Sequence, residues 1–373
     1  MLLIKKEHTL AVFIDLSKAF DVIDHSILLY KLSYYGIRGL PLKWIASYLS
    51  EREQLTVVNG SKSQSRIVGC GVPQGSILGP LLFLLYINDL PYCTQSLNYL
   101  LFADDTSIFM SSNDIYSLFN SVNIQLKLVK LWMKVNKLIL NIDKTKCMLF
   151  TTSKKKHDNL ALFYDNRKLE LVQSTKFLGI FVDSKLSWNV HVNYVCNKMS
   201  KNIGVLSKLQ FLPKNILKML YDTLILPYIS YCSTVWGYTT RSNLNKIHIL
   251  QKRAVRIMTH SDYLAPSKPL FHTLKILPIY DMISLQSVLF MFKCHNNLLP
   301  PLFQNYFKLN CHFHSYGTRN SRNYHTPLIR TSISQNSIFY YGPLQWNNLP
   351  ESLKCSTSYN YVKRNYKLLL ISK

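Results

Sequence analysis

Two short apolar runs that meet only at a pair of aspartates constrain this chain more than any other feature. Tyr99–Ala103 and Thr106–Met110 flank Asp104-Asp105 with nothing else between them, the pattern of a tight hairpin with carboxylates at its tip. A third apolar run, Thr9–Asp15 (TLAVFID), reads as a buried strand that also finishes in an acidic residue. An unpaired carboxylate at the edge of a core must be desolvated, which is costly unless a cation binds beside it. Asp15, Asp104 and Asp105 converging from two strands are what a two-metal phosphoryl-transfer site needs. Hard oxygen ligands hold Mg²⁺; one ion activates an attacking hydroxyl and the second stabilises a leaving pyrophosphate. Taken alone, Asp104-Asp105 read at least as well as ordinary turn aspartates.

The rest of the chain supplies the frame. Helical spacing is present in Ser26–Tyr35, in Leu42–Leu49 after Pro41, and over the long amphipathic stretch Ile115–Leu138. Leu55–Val58, Asn59-Gly60 and Ser65–Cys70 form a hairpin signal. Gly71–Ser76 is turn-rich and opens an apolar helix through about Ile87. Cys147–Phe150 and Lys176–Val182 read as strands, and Val190–Leu209, Ile216–Leu226 and Leu244–Met258 as helices. Strands interleaved with helices, then helices alone, predict an α+β domain followed by an α-helical one. After about Pro300 the pattern turns polar and the reading is weakest.

Charge divides the chain in the same way. Residues 1–150 carry 15 basic and 11 acidic side chains, net +4, whereas residues 151–373 carry 29 and 8, net +21. A basic half beside a nearly balanced one points to a polyanion, most simply a nucleic acid backbone. A solvated basic surface with no ligand is the plainer alternative. The eight cysteines form no C-x-x-C pair in a chain too large to need disulfides, which implies reduced thiols and an intracellular protein. The apolar run from Ile77 to Ile87 is too short to span a bilayer, so no membrane partner is expected. Cys294-His295, Cys311-His312 and His314 fit no zinc-knuckle spacing.

FIDLSKAFDVIDH at 13–25, GVPQGSILGPLLFLLYINDL at 71–90 and FADD at 102–105 occur in an order and spacing that resembles the reverse transcriptases of LINE-type (non-LTR) retrotransposons, of the jockey-like group. The weaker blocks LNIDKTKCMLF at 140–150 and KFLGIFVDSKLSW at 176–188 follow. The resemblance implies a palm, an antiparallel sheet with packed helices, over residues 1–188. A basic thumb-like helical region at 189–262 and a mostly helical or irregular region at 263–373 would follow. It also implies a fingers region before the first block, where only about ten residues stand here, so the palm is expected to be partial and the chain truncated at its N-terminus.

The same resemblance implies roles. Asp15, Asp104 and Asp105 would be the catalytic carboxylates holding two Mg²⁺ ions. Phe20 would lie beneath the sugar of the incoming deoxynucleoside triphosphate and exclude a 2′-hydroxyl. Gln74 and Gly75 would border nucleotide and template, and Lys144 or Lys146 would lie near the phosphates. Phe177, Leu178 and Gly179 would grip the primer end. Asp21 is read as a structural or capping carboxylate. Lys201, Lys208, Lys252, Arg253 and Arg256 would contact the backbone of an RNA template and DNA primer. The function implied is RNA-directed DNA polymerisation, with the nucleus as the family's location. The alternative is a catalytically silent RNA- or DNA-binding remnant.

Overall fold

The computed structural model describes residues 7–153, 160–303, 306–313, 320–329 and 332–372. The chain divides into two compact units, one ending at Leu178 and the other beginning at Gly179. Beyond that boundary, the buried residues from Ile180 to Leu370 share one core.

The first unit is built on a five-stranded sheet. Its strands are β1 (His8–Ile14), β2 (Asn98–Phe102), β3 (Asp105–Ser112), β4 (Lys146–Phe150) and β5 (Glu170–Leu171), in the order β5-β4-β1-β3-β2. All neighbours are antiparallel except β4 and β5. Side chains alternate across a strand, and Leu10, Val12 and Ile14 of β1 enter the core with Ile108 and Cys147. Helices α1 (His25–Tyr34), α2 (Gly39–Leu49), α3 (Leu78–Ile87) and α4 (Ile115–Val135) contribute to the same core. In α4 the buried residues Ile115, Leu118, Phe119, Val122, Leu126, Val129 and Met133 recur at three or four positions, which gives one continuous apolar stripe.

Caps fix where the helices begin. The Asp114 carboxylate accepts from Ser117 N at 2.7 Å ahead of α4. Asp24 does the same for α1, accepting from Ile27 N at 3.0 Å and from Lys137 Nζ at 2.6 Å. The Lys137 ammonium, with Ser26 and the Ile27 amide, holds the Asp24 carboxyl well below the usual range. The cap of the first helix is therefore Asp24, not Asp21.

The second unit is helical. Its core draws on α5 (Asn189–Lys208), α6 (Lys214–Leu224), α7 (Arg241–Thr259), α8 (Ile279–His295), α9 (Ile338–Asn347) and α10 (Tyr359–Ile371). Trp236 and Trp346 are among its largest fully buried side chains. The polar stretch after Pro300 thus contributes Trp346, Val362, Tyr366 and Leu370 to the same core as α5. No single described helix is long and apolar enough to cross a membrane.

Candidate polymerase site

Strand register assembles the carboxylates. β1 pairs with β3 so that Phe13 faces Ser107 and Ile14 faces Thr106. That ladder ends at Ile14 and Thr106, one residue short of Asp15 and Asp105. β2 and β3 are joined through Ala103 and Asp104, with Phe102 paired to Asp105. The hairpin turn is therefore Ala103-Asp104, and Asp105 is the first residue of a strand rather than half of the tip. Ala103 takes a left-handed φ of 51° to close this turn. An L-residue pays roughly 1–2 kcal/mol for that conformation.

Asp15 is half-buried, while Asp104 and Asp105 are exposed. Partial burial raises the Asp105 carboxyl above its ordinary value, and the charges of Asp104 and then Asp15 raise it further. Asp105 is therefore close enough to Asp104 and Asp15 to feel both charges. Among the described residues, no three His, Cys, Asp or Glu side chains are grouped so as to hold a metal ion. What suits a divalent ion is the chemistry of the donor set: hard oxygens whose mutual repulsion a cation would relieve.

The backbone of Asp15 is clamped by two residues that sequence reasoning did not single out. Asn141 N donates to Asp15 O at 2.8 Å, and Asp15 N donates to Thr145 Oγ1 at 3.2 Å. Both residues lie in the LNIDKTKCMLF block, yet only the strand pairing reveals what they hold.

Phe20 is half-buried with its ring 4.8 Å from that of Phe83, while Gln74 and Gly75 are exposed on the neighbouring loop. Gly75 has φ +80° with open space around it. Gln74 Nε2 donates to Asp21 Oδ1 at 2.9 Å, so the carboxylate expected to cap a helix partners a candidate nucleotide-site residue instead. Lys144 and Lys146 differ sharply. Lys146 Nζ donates to Asp143 O at 2.8 Å and pairs with Glu170. Lys144 is exposed, and its ammonium has no ion-pair partner among the described residues.

Residues 2–182 match the family model described as reverse transcriptase (RNA-dependent DNA polymerase). The chain is 27% identical over 290 residues to the RNA-directed DNA polymerase from mobile element jockey of Drosophila melanogaster, covering 74% of this chain and 31% of that protein. It is 29% identical over 296 residues to the probable RNA-directed DNA polymerase from transposon BS of the same species, covering 75% and 32%. Through residues 2–182 the chain is similar to reverse transcriptases, and the relatives it matches are RNA-directed DNA polymerases of mobile elements. It spans about a third of the length of these curated relatives. A solved telomerase from Candida albicans, in complex with a fragment of telomeric RNA, aligns with a TM-score of 0.35 at 12% identity, over 72% of this chain and 46% of that one.

The reverse transcriptase match ends one residue before the end of a short hairpin, Ser174–Phe177 with Ile180–Asp183. Periodicity alone read this stretch as one strand; the left-handed Leu178 (φ 45°) and Gly179 (φ 84°) turn it back on itself. The Phe177 ring lies 5.4 Å from that of Phe13. The basic candidates Lys201, Lys208, Lys252, Arg253 and Arg256 lie beyond the matched reverse transcriptase residues, on α5 and α7, which pack together. Lys201, Lys208 and Arg253 are exposed and Lys252 is half-buried. Arg256 is committed within its own unit: its Nε donates to Ala265 O at 3.0 Å, and its guanidinium lies over the Tyr263 ring. Of the Cys-His residues, His295 packs 5.2 Å from the Trp346 ring. His314 lies outside the described residues.

Proposed function

We propose that this chain is the palm and downstream helical part of an RNA-directed DNA polymerase that extends a DNA primer on an RNA template with deoxynucleoside triphosphates. One observation carries the reading. The β1–β3 ladder ends one residue short of Asp15 and Asp105, and Asp105, next to the Asp104 turn, feels the charges of both Asp104 and Asp15. Asp15, Asp104 and Asp105 would hold two Mg²⁺ ions, which when bound supply activation of the primer hydroxyl and stabilisation of the departing pyrophosphate.

The chain's own residues do the remaining work. The Asn141 and Thr145 clamp holds Asp15 at its register position. Phe20, backed by Phe83, offers the sugar a flat ring with no room for a 2′-hydroxyl. Lys144, with no ion-pair partner among the described residues, is freer than Lys146 to neutralise charge developing on the phosphates. Phe177–Gly179 would hold the primer end, and the exposed lysines of α5 would bind backbone phosphates without reading sequence.

Primer extension by the purified chain on an RNA template, beside an Asp104→Asn, Asp105→Asn double variant, tests this reading. Extension is expected from the wild-type chain alone. A folded wild-type chain that binds the duplex but never extends it would instead be a binding remnant.

A further inference from the structure

We propose that Asp21 is a positioning residue for nucleotide selection, fixing which end of the Gln74 amide is presented to the nucleotide. The inference rests on the polymerase reading above and adds a residue that the resemblance left with only a structural role.

The loop that carries Gln74 is stitched to the turn that carries Phe20. Val72 N donates to Phe20 O at 2.9 Å, and Gly71 N to Ile23 O at 2.7 Å. The Cys70 thiol donates to Asp21 O at 3.3 Å, and His25 Nε2 hydrogen-bonds Gly71 O at 2.8 Å. Gly71, at φ +84°, comes so close that a Cβ there would lie 2.8 Å from Asp21 O. Phe20 and Gln74 therefore move as one body, with Asp21 between them.

On that body the Gln74 side chain is exposed, and an exposed amide is ordinarily free to offer either its NH₂ or its carbonyl. Here Nε2 donates to Asp21 Oδ1 at 2.9 Å. A carboxylate only accepts, so the NH₂ end is turned towards Asp21, with its second N–H still open, and the carbonyl takes the opposite side. Gln74 then presents an acceptor of fixed identity, matched to a hydroxyl or amino donor on the nucleotide. A wrong donor–acceptor pairing at such a group leaves a polar atom unmatched, which is how polar sites discriminate. Without Asp21 the amide turns, and both presentations are populated.

The test compares wild type, Asp21→Asn, Gln74→Ala and the double variant of the full chain, each checked for an unchanged melting temperature. In primer extension, Asp21→Asn is expected to raise KM for the deoxynucleotide on the order of tenfold and to increase misincorporation, with kcat within about a factor of two. Added to Gln74→Ala, it should change nothing further. An unchanged KM and error rate in Asp21→Asn, or losses that multiply in the double variant, would overturn the proposal. If no protein extends primers, the polymerase reading fails, and side-chain amide NMR of ¹⁵N-glutamine-labelled chain still decides the link. The signal that Gln74→Ala removes should shift in Asp21→Asn; an unmoved signal means that Asp21 does not hold the amide.

Discussion

His191, at the start of α5, is 3% exposed, with its Nδ1 accepting from Phe181 N at 3.3 Å and its ring 5.2 Å from that of Trp236. Its Nε2 is buried without a partner among the described residues. Burial lowers its pKa from 6.5 to about 4. Between those values the unfolded chain binds a proton that the folded chain does not, so stability falls as pH drops through that window. The loss is at most about 3.5 kcal/mol at roughly 1.4 kcal/mol per pH unit. Urea midpoints taken above and below pH 6 should separate in wild type and converge in His191→Gln; equal separation in both would assign the acid sensitivity elsewhere. The same scale shows where sequence reasoning stops. Lys144 and Lys146 are indistinguishable as letters. Lys146 differs only because β4 and β5 run parallel and put Glu170 beside it.

Elements were legible where a period and a cap agreed. The Ile115–Leu138 stripe became α4 because Asp114 caps it and the stripe faces the sheet core. Asn59-Gly60 is the turn expected, with both residues at positive φ, but it joins Val57–Val58 to Ser61–Lys62 rather than to the later run. Residues Arg66–Ile67 pair instead with Glu53–Gln54. Polar, exposed strands give the alternation rule nothing to act on. The carboxylate hairpin was misplaced by one residue for a related reason: local sequence marks a turn, while its closing pair is set by the strands on either side.

Two glycines of the 69–76 loop separate close approach from backbone conformation alone. Both have positive φ, but only at Gly71 does a Cβ collide with the backbone of Asp21. Gly71→Ala should destabilise the first unit by about 2–3 kcal/mol and Gly75→Ala by about 1 kcal/mol, read from denaturant midpoints. Equal losses would mean that the stitched loop is not tightly held.

At the scale of the whole molecule, an α+β unit precedes a helical one, and the charge contrast read at 150/151 persists at the packing boundary: residues 1–178 carry net +7 and residues 179–373 net +18. The sequence did not show that the polar tail completes the helical core, because Trp346 and Tyr366 are scattered among Asn and Ser and make no period. If the exposed lysines of α5 bind phosphates, affinity for an RNA–DNA duplex should fall steeply with salt. The double variant Lys201→Ala, Lys208→Ala should then flatten the slope of log K against log salt by about 1.5–2, at roughly 0.9 per phosphate contact. An unchanged slope would move the contact to other residues.

The proposal that Asp15, Asp104 and Asp105 together bind a divalent ion is tested, without requiring turnover, by thermal unfolding of the chain with and without Mg²⁺. Asp105→Asn should melt about 1–3 °C above wild type in chelator, because one repelling charge is gone. Mg²⁺ should raise the wild-type transition and leave the variant unmoved, since only the folded carboxylate cluster binds the ion. Identical melting of both proteins, with no response to Mg²⁺ in either, would contradict it.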